Sequence, residues 1–480
     1  MKIIIIILQA ILNLVRKRRD LIANTDKIPP AIKKSIIAWY SPKKQKLNNY
    51  DVIESYAEDF TRWRIDNTGV TTTQKKITIA ANTELKYNIA YKDFGNSTDG
   101  FDIKYTGNIV MRYRYHKEDG TEDNITIDKS GIYHLPASVK LQKNFGFYCN
   151  PQTVTEEATI EILPTSILKD FSGNGLDAYM YGFTGKLNSG VGIYNNDFTD
   201  SGRINVTWVY DTRDITVNGA DSFTVHNNHE HWVFRCITNV KPMIVKIVGV
   251  SDDVNFKYRY ESANGDKYIY FKKDGVYELP ATIGTWQGFN LEKNNDVDVN
   301  ITVTQIPNYP NSLCYAGKQY CQVYNLPDID DYTIIARRTW FSKTSRNTFI
   351  SNSPYAGGGG FIFEIFDVQG DTVYSFGNTN KVIFAAAGIS YQTKTKYNDT
   401  TIAAGTAKSN NTIWIGRLRD NDGIFNGCHD DIIILKRSLT INEIDDICQA
   451  VFNEKIIQPV FDLKATDVID VVNDRGGGTN

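Results

Sequence analysis

The chain is poor in the residues that build metal and redox centres. Its 480 residues include four Met, six His and six Cys. The cysteines, Cys149, Cys236, Cys314, Cys321, Cys428 and Cys448, show no CxxC spacing, which excludes a zinc-ribbon or thioredoxin-type motif. Six mostly buried free thiols are expected, in keeping with a reducing cytoplasm. Cys314 and Cys321 are close enough in sequence to bridge a hairpin, although spacing alone does not pair them. An excess of one charge is also missing. The 53 basic and 55 acidic residues give a net charge of −2 and remove nucleic acid as a default partner, since that role needs a basic excess. No cofactor is expected.

The remaining composition, 41% hydrophobic and 22% charged, is that of an ordinary globular chain. Its length suits roughly three domains. Aromatics are plentiful: 28 Tyr, 23 Phe and seven Trp suit strands and recognition surfaces.

Ile3 to Val15 is almost entirely apolar, and the basic cluster Arg16 to Arg19 follows it. A signal peptide has the reverse order and a small-residue cleavage site. As a helix the run reaches about 20 Å, short of a bilayer core of about 30 Å, so no membrane span is expected. Gln9, Asn13 and Arg16 share one side of that helix, and Ile3, Ile4, Ile7, Leu8, Ile11 and Leu14 form an anchor or oligomerisation surface. It packs against copies of itself in a dimer or trimer, enters a socket on a partner, docks on its own domain, or touches a membrane. Residues 20–35, with Pro29-Pro30, read as a linker.

An internal duplication is the most informative feature. Tyr113-Arg114-Tyr115 recurs as Tyr258-Arg259-Tyr260, Gly120 as Gly265, and the stretch from Lys129 to Ala137 as that from Lys273 to Ala281. Both copies open on Asp-Phe-Thr, at Asp59 and Asp197, and close at Pro164 and Pro307. Period-two alternation and the turn dipeptides Asp119-Gly120 and Asn264-Gly265 make each copy a β-sandwich.

Around the copies lies sequence of another kind. Asp170–Gly175 spells Asp-x-Ser-Gly-Asn-Gly, Asn426–Asp431 spells Asn-Gly-x-x-Asp-Asp, and Leu439–Glu443 opens a helix with Thr440 as N-cap and Glu443 three residues on. These pieces resemble one LamG or concanavalin A-like jelly roll. More narrowly, Ala38–Gln45 resembles openings in virion proteins of tailed phages of Bacteroidota, including crAss-like phages. The resemblance implies an all-β fold: a discontinuous jelly roll (36–58, 165–196 and 308–456) with duplicated sandwiches inserted at 59–164 and 197–307. Residues 1–35 and 457–480 flank it, and Asp467 to Val472 read as a strand able to join a neighbour's sheet.

Few residues suggest chemistry. Enzymatic relatives of this fold carry paired carboxylates. Here Glu364 and Asp367 lie three apart on a strand, pointing to opposite faces, and the Glu-x-Asp-x-x-Glu arrangement is missing, so no hydrolase is expected. The glycine run Gly357 to Gly360 precedes a strand rather than a helix and reads as a hairpin tip, not a phosphate loop. His226, His229 and His231 are the candidate metal ligands, and in a strand His229 and His231 share one face. Asp430-Asp431 raises calcium, without a dense oxygen-ligand loop. Trp39, Trp63, Trp208, Trp232, Trp286, Trp340 and Trp414 are candidates for stacking on sugars; Trp39 and Trp414 are expected in the core.

The expected function is a structural virion protein, made in the host cytoplasm: a short oligomeric fibre or appendage, head rather than tail, joined to capsid or another virion protein through its N-terminal helix and displaying glycan- or surface-binding sandwiches. The alternative is a bacterial cell-surface carbohydrate-binding protein with a LamG-like domain.

Overall fold

A computed structural model describes residues 28–92, 99–139, 144–202, 207–210, 213–226, 232–283, 285–293, 299–343, 346–353, 359–367, 370–407, 410–419 and 423–456. The apolar run with Ile3 to Leu14, the candidate ligands His229 and His231, and the strand-like 467–472 lie outside the described residues. Residues 37–437 form one unit, and the segments flanking them form another.

Alternation of apolar and polar side chains produces an all-β chain in which two eight-stranded sheets make the largest body. One sheet takes strands Ile36–Tyr40, Gly190–Val191, Leu313–Ala316, Thr333–Trp340, Ala387–Thr393, Lys396–Tyr397, Thr400–Thr401 and Asn426–Leu435. The other takes Ile167–Leu168, Ala178–Tyr181, Tyr320–Val323, Asn347–Ser351, Phe361–Asp367, Gly370–Ser375, Asn378–Lys381 and Ile413–Ile415. Tyr315, Ile334, Ala336, Ile432 and Ile434 from the first meet Met180, Cys321, Val323, Phe349, Phe363 and Ile415 from the second in one core. This is a sandwich of the jelly-roll class, assembled from three separate stretches of sequence.

The turn at Asp170 ties two of those stretches together. Asp170 accepts hydrogen bonds from the Trp39 N–H at 2.9 Å, the Ser172 N–H at 2.8 Å and the Leu176 N–H at 3.1 Å. Ser172 Oγ and Asn174 Nδ2 each donate to the Ile37 carbonyl at 3.1 Å. Trp39 then donates its indole N–H to the buried Asp431 at 2.7 Å. Each polar residue of the Asp-x-Ser-Gly-Asn-Gly turn thus satisfies a backbone group of the first strand.

The chain leaves this body twice, and each excursion folds the same way. The first pairs a five-stranded sheet (Val70–Thr72, Lys76–Ile79, Ala158–Ile162, Phe101–Thr106, Gly131–Leu135) with a four-stranded one (Asn88–Lys92, Phe145–Tyr148, Met111–His116, Glu122–Ile127). The second repeats both orders. Its five-stranded sheet runs Ile215–Gly219, Ser222–Val225, Ile301–Ile306, Met243–Val248, Gly275–Leu279. Its other sheet runs Trp232–Cys236, Gln287–Lys293, Val254–Ser262, Gly265–Phe271, with Ser201–Gly202 and Trp208–Tyr210 added at one edge. Each excursion has its own core.

The repeated letters are explained by packing. Asp59 Oδ1 accepts from Thr61 N–H at 3.0 Å, and Asp197 Oδ1 accepts from Thr199 N–H at 2.8 Å, so each copy begins with the same turn. That turn aims Phe60 or Phe198 inward, edge-on to Trp63 at 5.2 Å or Trp208 at 5.4 Å. The Tyr113 and Tyr258 hydroxyls donate to the carbonyls of Pro136 and Pro280, and those of Tyr133 and Tyr277 to Lys129 and Lys273.

In the flanking unit, Pro30–Lys33 forms one helical turn with Ile32 buried, where the sequence reads as linker. Proline at the first helical position needs no N–H partner and enters a helix readily. Thr440 and Glu443 cap Ile441–Phe452 reciprocally, as the sequence predicts. Among the described residues no helix is long and apolar enough to cross a membrane.

One buried group makes the main body sensitive to acid. His429 lies with Nδ1 3.0 Å from the Asp430 carbonyl, so Nδ1 donates and Nε2 accepts from the Tyr315 hydroxyl at 3.0 Å. Burial pushes its pKa down to about 4 from the ordinary 6.5. The unfolded chain therefore takes up a proton before the folded one does. The stabilisation is complete above the unfolded pKa and is lost as pH falls through about 4, a loss on the order of 3 kcal/mol. Urea unfolding at a series of pH values should show this drop, and His429→Gln should flatten it between pH 6.5 and 4. An unchanged slope in the variant would assign the acid sensitivity to other groups.

Candidate functional site

The carboxylate closest in sequence to a glycosidase arrangement is locked in place. Glu364 is fully buried at a bulge in strand Phe361–Asp367, with φ +60°. Its oxygens accept from Arg338 Nε at 2.7 Å and Nη2 at 2.6 Å, Ser390 Oγ at 2.6 Å, Tyr397 OH at 2.7 Å and Trp340 Nε1 at 3.2 Å. Burial pushes its pKa up, but the Arg338 charge and the hydrogen bonds from Arg338, Ser390 and Tyr397 together outweigh that and hold the carboxyl below its usual range. All five donors point at one anion, and their geometry serves the fold.

A second acidic grouping is likewise committed to structure. A cleft of about 540 Å³ is lined by Glu54, Tyr56, Glu58, Asp59, Arg62 and Lys92, among others. Glu54 accepts from Lys75 Nζ at 2.7 Å and from the Gly182 N–H at 2.5 Å, while Glu58 pairs with Lys92 Nζ at 2.8 Å. Burial raises the Glu54 pKa, and the bonds from Lys75, Tyr56 and Gly182 bring it below the ordinary value. Glu54 thus fastens the segment leading into the first inserted sandwich to both of its neighbours.

His226 is exposed just beyond strand Ser222–Val225, with Nε2 2.9 Å from Thr216 Oγ1. Among the described residues no group of three His, Cys, Asp or Glu side chains is placed to hold a metal ion. Asp430 and Asp431 diverge, Asp430 to Ser312 and Arg337, Asp431 to Trp39. The six thiols are free and buried. Cys314 and Cys321 belong to strands of opposite sheets, so they do not face each other across a hairpin; Cys321 Sγ contacts the Tyr315 hydroxyl at 3.4 Å.

Of the tryptophans, Trp39, Trp63, Trp208, Trp340 and Trp414 are core residues, whereas Trp286 is 51% exposed under the Arg235 guanidinium, 4.4 Å from its ring. The larger aromatic surface is made of tyrosines. In the second inserted sandwich, strand Gly265–Phe271 pairs with Val254–Ser262 so that Tyr268 lies opposite Arg259 and Tyr270 opposite Lys257. Residues opposite each other share a face, here the outer one, because Phe256, Tyr258 and Phe271 take the inner.

Tyr268 and Tyr270 are 43% and 45% exposed, with ring centroids 6.2 Å apart. Lys257 Nζ sits 5.2 Å and 5.8 Å from the two rings and donates to Glu292 at 2.6 Å. Asn255 donates to the other Glu292 oxygen at 2.8 Å, and Arg259 pairs with Asp266. Asn290, next to Lys257 in register, has a buried Oδ1 that accepts no hydrogen bond among the described residues. The face therefore offers two apolar ring surfaces bordered by the paired Lys257, Glu292, Arg259 and Asp266 and by Lys272, whose Nζ lies 5.3 Å from the Tyr270 ring.

The first inserted sandwich has the same strands and another surface. Asn124 and Thr126 stand opposite Arg114 and Arg112, where the second has its tyrosines. Its exposed aromatic group lies elsewhere: Tyr87, between strands, packs 5.4 Å from the buried Tyr148, over which Arg114 stacks at 3.9 Å. Sequence reasoning that looked to tryptophan passed over this. Aligning Tyr268-Ile269-Tyr270 with Asn124-Ile125-Thr126 is the signal that locates it, since outward positions change from polar to aromatic while the inward Ile stays.

No protein-family model matches the chain, and no curated protein sequence does. Among solved structures, a tryptophan variant of oxalate decarboxylase from Bacillus subtilis is 8% identical, over 54% of this chain and 78% of that one, with a TM-score of 0.13. Lactobacillus farciminis oxalate decarboxylase in a formate complex is also 8% identical, over 54% and 88%, at 0.13. Hazelnut vicilin is 7% identical, over 52% and 84%, at 0.12. Likeness at this level carries no argument about fold or chemistry.

Proposed function

We propose that the chain is a non-enzymatic display protein whose second inserted sandwich binds glycan through Tyr268 and Tyr270, and that it serves as a short oligomeric appendage of a tailed-phage virion, on the head rather than the tail. The observation that carries the binding reading is the tyrosine pair bridged by Lys257. An aromatic ring takes the apolar C–H face of a sugar, and polar groups at its border take the hydroxyls. Lys257 is matched by Glu292 and Arg259 by Asp266, and the exposed Lys272, with Nζ 5.3 Å from the Tyr270 ring, adds a cation at the edge of the face. The virion reading rests on the resemblance at Ala38–Gln45 and on domain types used outside cells. Trimer or dimer formation, and attachment to capsid through Ile3 to Leu14, belong to the same proposal.

A glycan array probed with the full chain should give hits. The double substitution Tyr268→Ala and Tyr270→Ala should weaken them at least about tenfold, about 1.4 kcal/mol, with the fold intact by circular dichroism. Binding that survives the double substitution would exclude this face. Mass spectrometry of purified virions and of cell envelopes tests the rest. Recovery in envelopes alone would support a bacterial cell-surface carbohydrate-binding protein instead.

A further inference from the structure

Cys314 and Cys428 are 114 positions apart in sequence and directly opposite each other in the first sheet of the main body, in the register Leu313↔His429, Cys314↔Cys428, Tyr315↔Gly427. Their side chains share a face. Leu313 and Tyr315 point into the core, so the two cysteines point to the sheet's other side, where both are buried. The Cys314 thiol donates to the Ser312 carbonyl at 3.6 Å, and burial, reinforced by the neighbouring Cys428 thiol, pushes its pKa up.

The pattern of backbone bonds identifies the kind of pair. The Ser312 carbonyl accepts from Gly192, on the side of strand Leu313–Ala316 away from Asn426–Leu435. Backbone groups alternate sides along a strand, so those of Cys314 also point away from Cys428. On the other strand, the Asn426 carbonyl accepts from Phe341, on the side of Thr333–Trp340, and Cys428 two residues on points the same way. The pair is therefore a non-hydrogen-bonded one, in which Cα atoms stand about 4.5 Å apart and side chains approach most closely. Disulfides span Cα separations of about 4.4–6.8 Å, which includes this geometry.

We propose that Cys314 and Cys428 are a latent cross-strand disulfide, open in a reducing cytoplasm and closed in an oxidising medium. The oxidant is a small disulfide of the glutathione class. One thiolate attacks it, giving a mixed disulfide and releasing a small thiolate. The second cysteine then attacks the protein sulfur of that mixed disulfide and releases the second small thiolate. The two cysteine protons pass to the two small thiols, and the pair of electrons reduces the oxidant. The bond joins the strand on which the chain returns from its second excursion to a strand near the middle of the sheet. Strand register carries this proposal, which is independent of any glycan.

The test is to refold the full chain in an oxidised and reduced glutathione buffer, block free thiols and map peptides without reduction. The expected result is loss of two of the six thiols, a peptide joining Cys314 to Cys428, and a melting temperature several degrees higher that reverts with reductant. Cys321→Ser should keep the bond, and Cys428→Ser should lose it. Six free thiols after this treatment, or a bond from Cys314 to any other cysteine, would overturn the proposal. Native protein exposed to the same buffer should oxidise far more slowly than the refolding chain, because both sulfurs are buried.

Discussion

Replacing Glu364 by alanine should destabilise the main sandwich by roughly 3–5 kcal/mol, the cost of leaving a buried charge without its partner. Arg338 is 2% exposed, and neither its bond from Nη1 to the Gly388 carbonyl at 3.2 Å nor the neutral Tyr397 hydroxyl beside it can balance a full positive charge. Trp340, Ser390 and Tyr397 lose an acceptor at the same time. The pair is not thereby a source of net stability, since bringing both ions out of water is itself costly. Replacing both together, Arg338→Met with Glu364→Leu, should therefore cost less than Glu364→Ala alone. Urea unfolding of the three proteins decides it. A loss below about 1 kcal/mol in the single variant would mean that water reaches Arg338 and the site is not sealed.

That site also shows where sequence reasoning stops. Alternation places Glu364 on one face of a strand and Asp367 on the other, but the register shifts between Ile362 and Ile365. The shift comes with a left-handed φ at Glu364, a conformation that a non-glycine residue adopts only where its surroundings hold it. Nothing in the local letters announces Arg338 as the partner, because the contact depends on two strands from opposite sheets. The same limit applies to Cys314 and Cys428, whose pairing is a matter of sheet order across 114 positions. Cys321, seven residues away, is the nearer candidate in sequence and lies in the other sheet.

Where a short motif does its work locally, the sequence is readable. The polar letters of Asp170–Gly175 bond to the backbone of the first strand, and Thr440 with Glu443 forms its capping box within one helical turn. The duplication is legible for the same reason: its repeated residues are core tyrosines, turn formers and the Asp-Phe-Thr start, all fixed by the fold. Residues free of that constraint differ between copies, and the outward tyrosines of the second are among them. Exposure of Trp286 is not readable, since Trp39, Trp63, Trp208, Trp340 and Trp414 are all buried and no neighbouring letter sets Trp286 apart from them.

Because each inserted sandwich has its own core, the two should fail separately. Phe198→Ala removes a ring that meets Trp208 at 5.4 Å, Phe223 at 5.0 Å and Phe234 at 5.5 Å, all buried. Truncating a buried phenylalanine costs about 3–5 kcal/mol, a large share of the stability of a domain this size. Phe60→Ala does the same in the first sandwich, where Phe60 meets Trp63, Phe101 and Phe147. Calorimetry should show one transition moved down in each variant and the others left in place. The functional consequence is asymmetric. Above the lowered transition, Phe198→Ala should lose glycan binding with its tyrosine face, whereas Phe60→Ala should retain it. Equal loss in both variants would mean that the sandwiches unfold together, and recognition would then be a property of the whole unit from residue 37 to 437 rather than of one inserted domain.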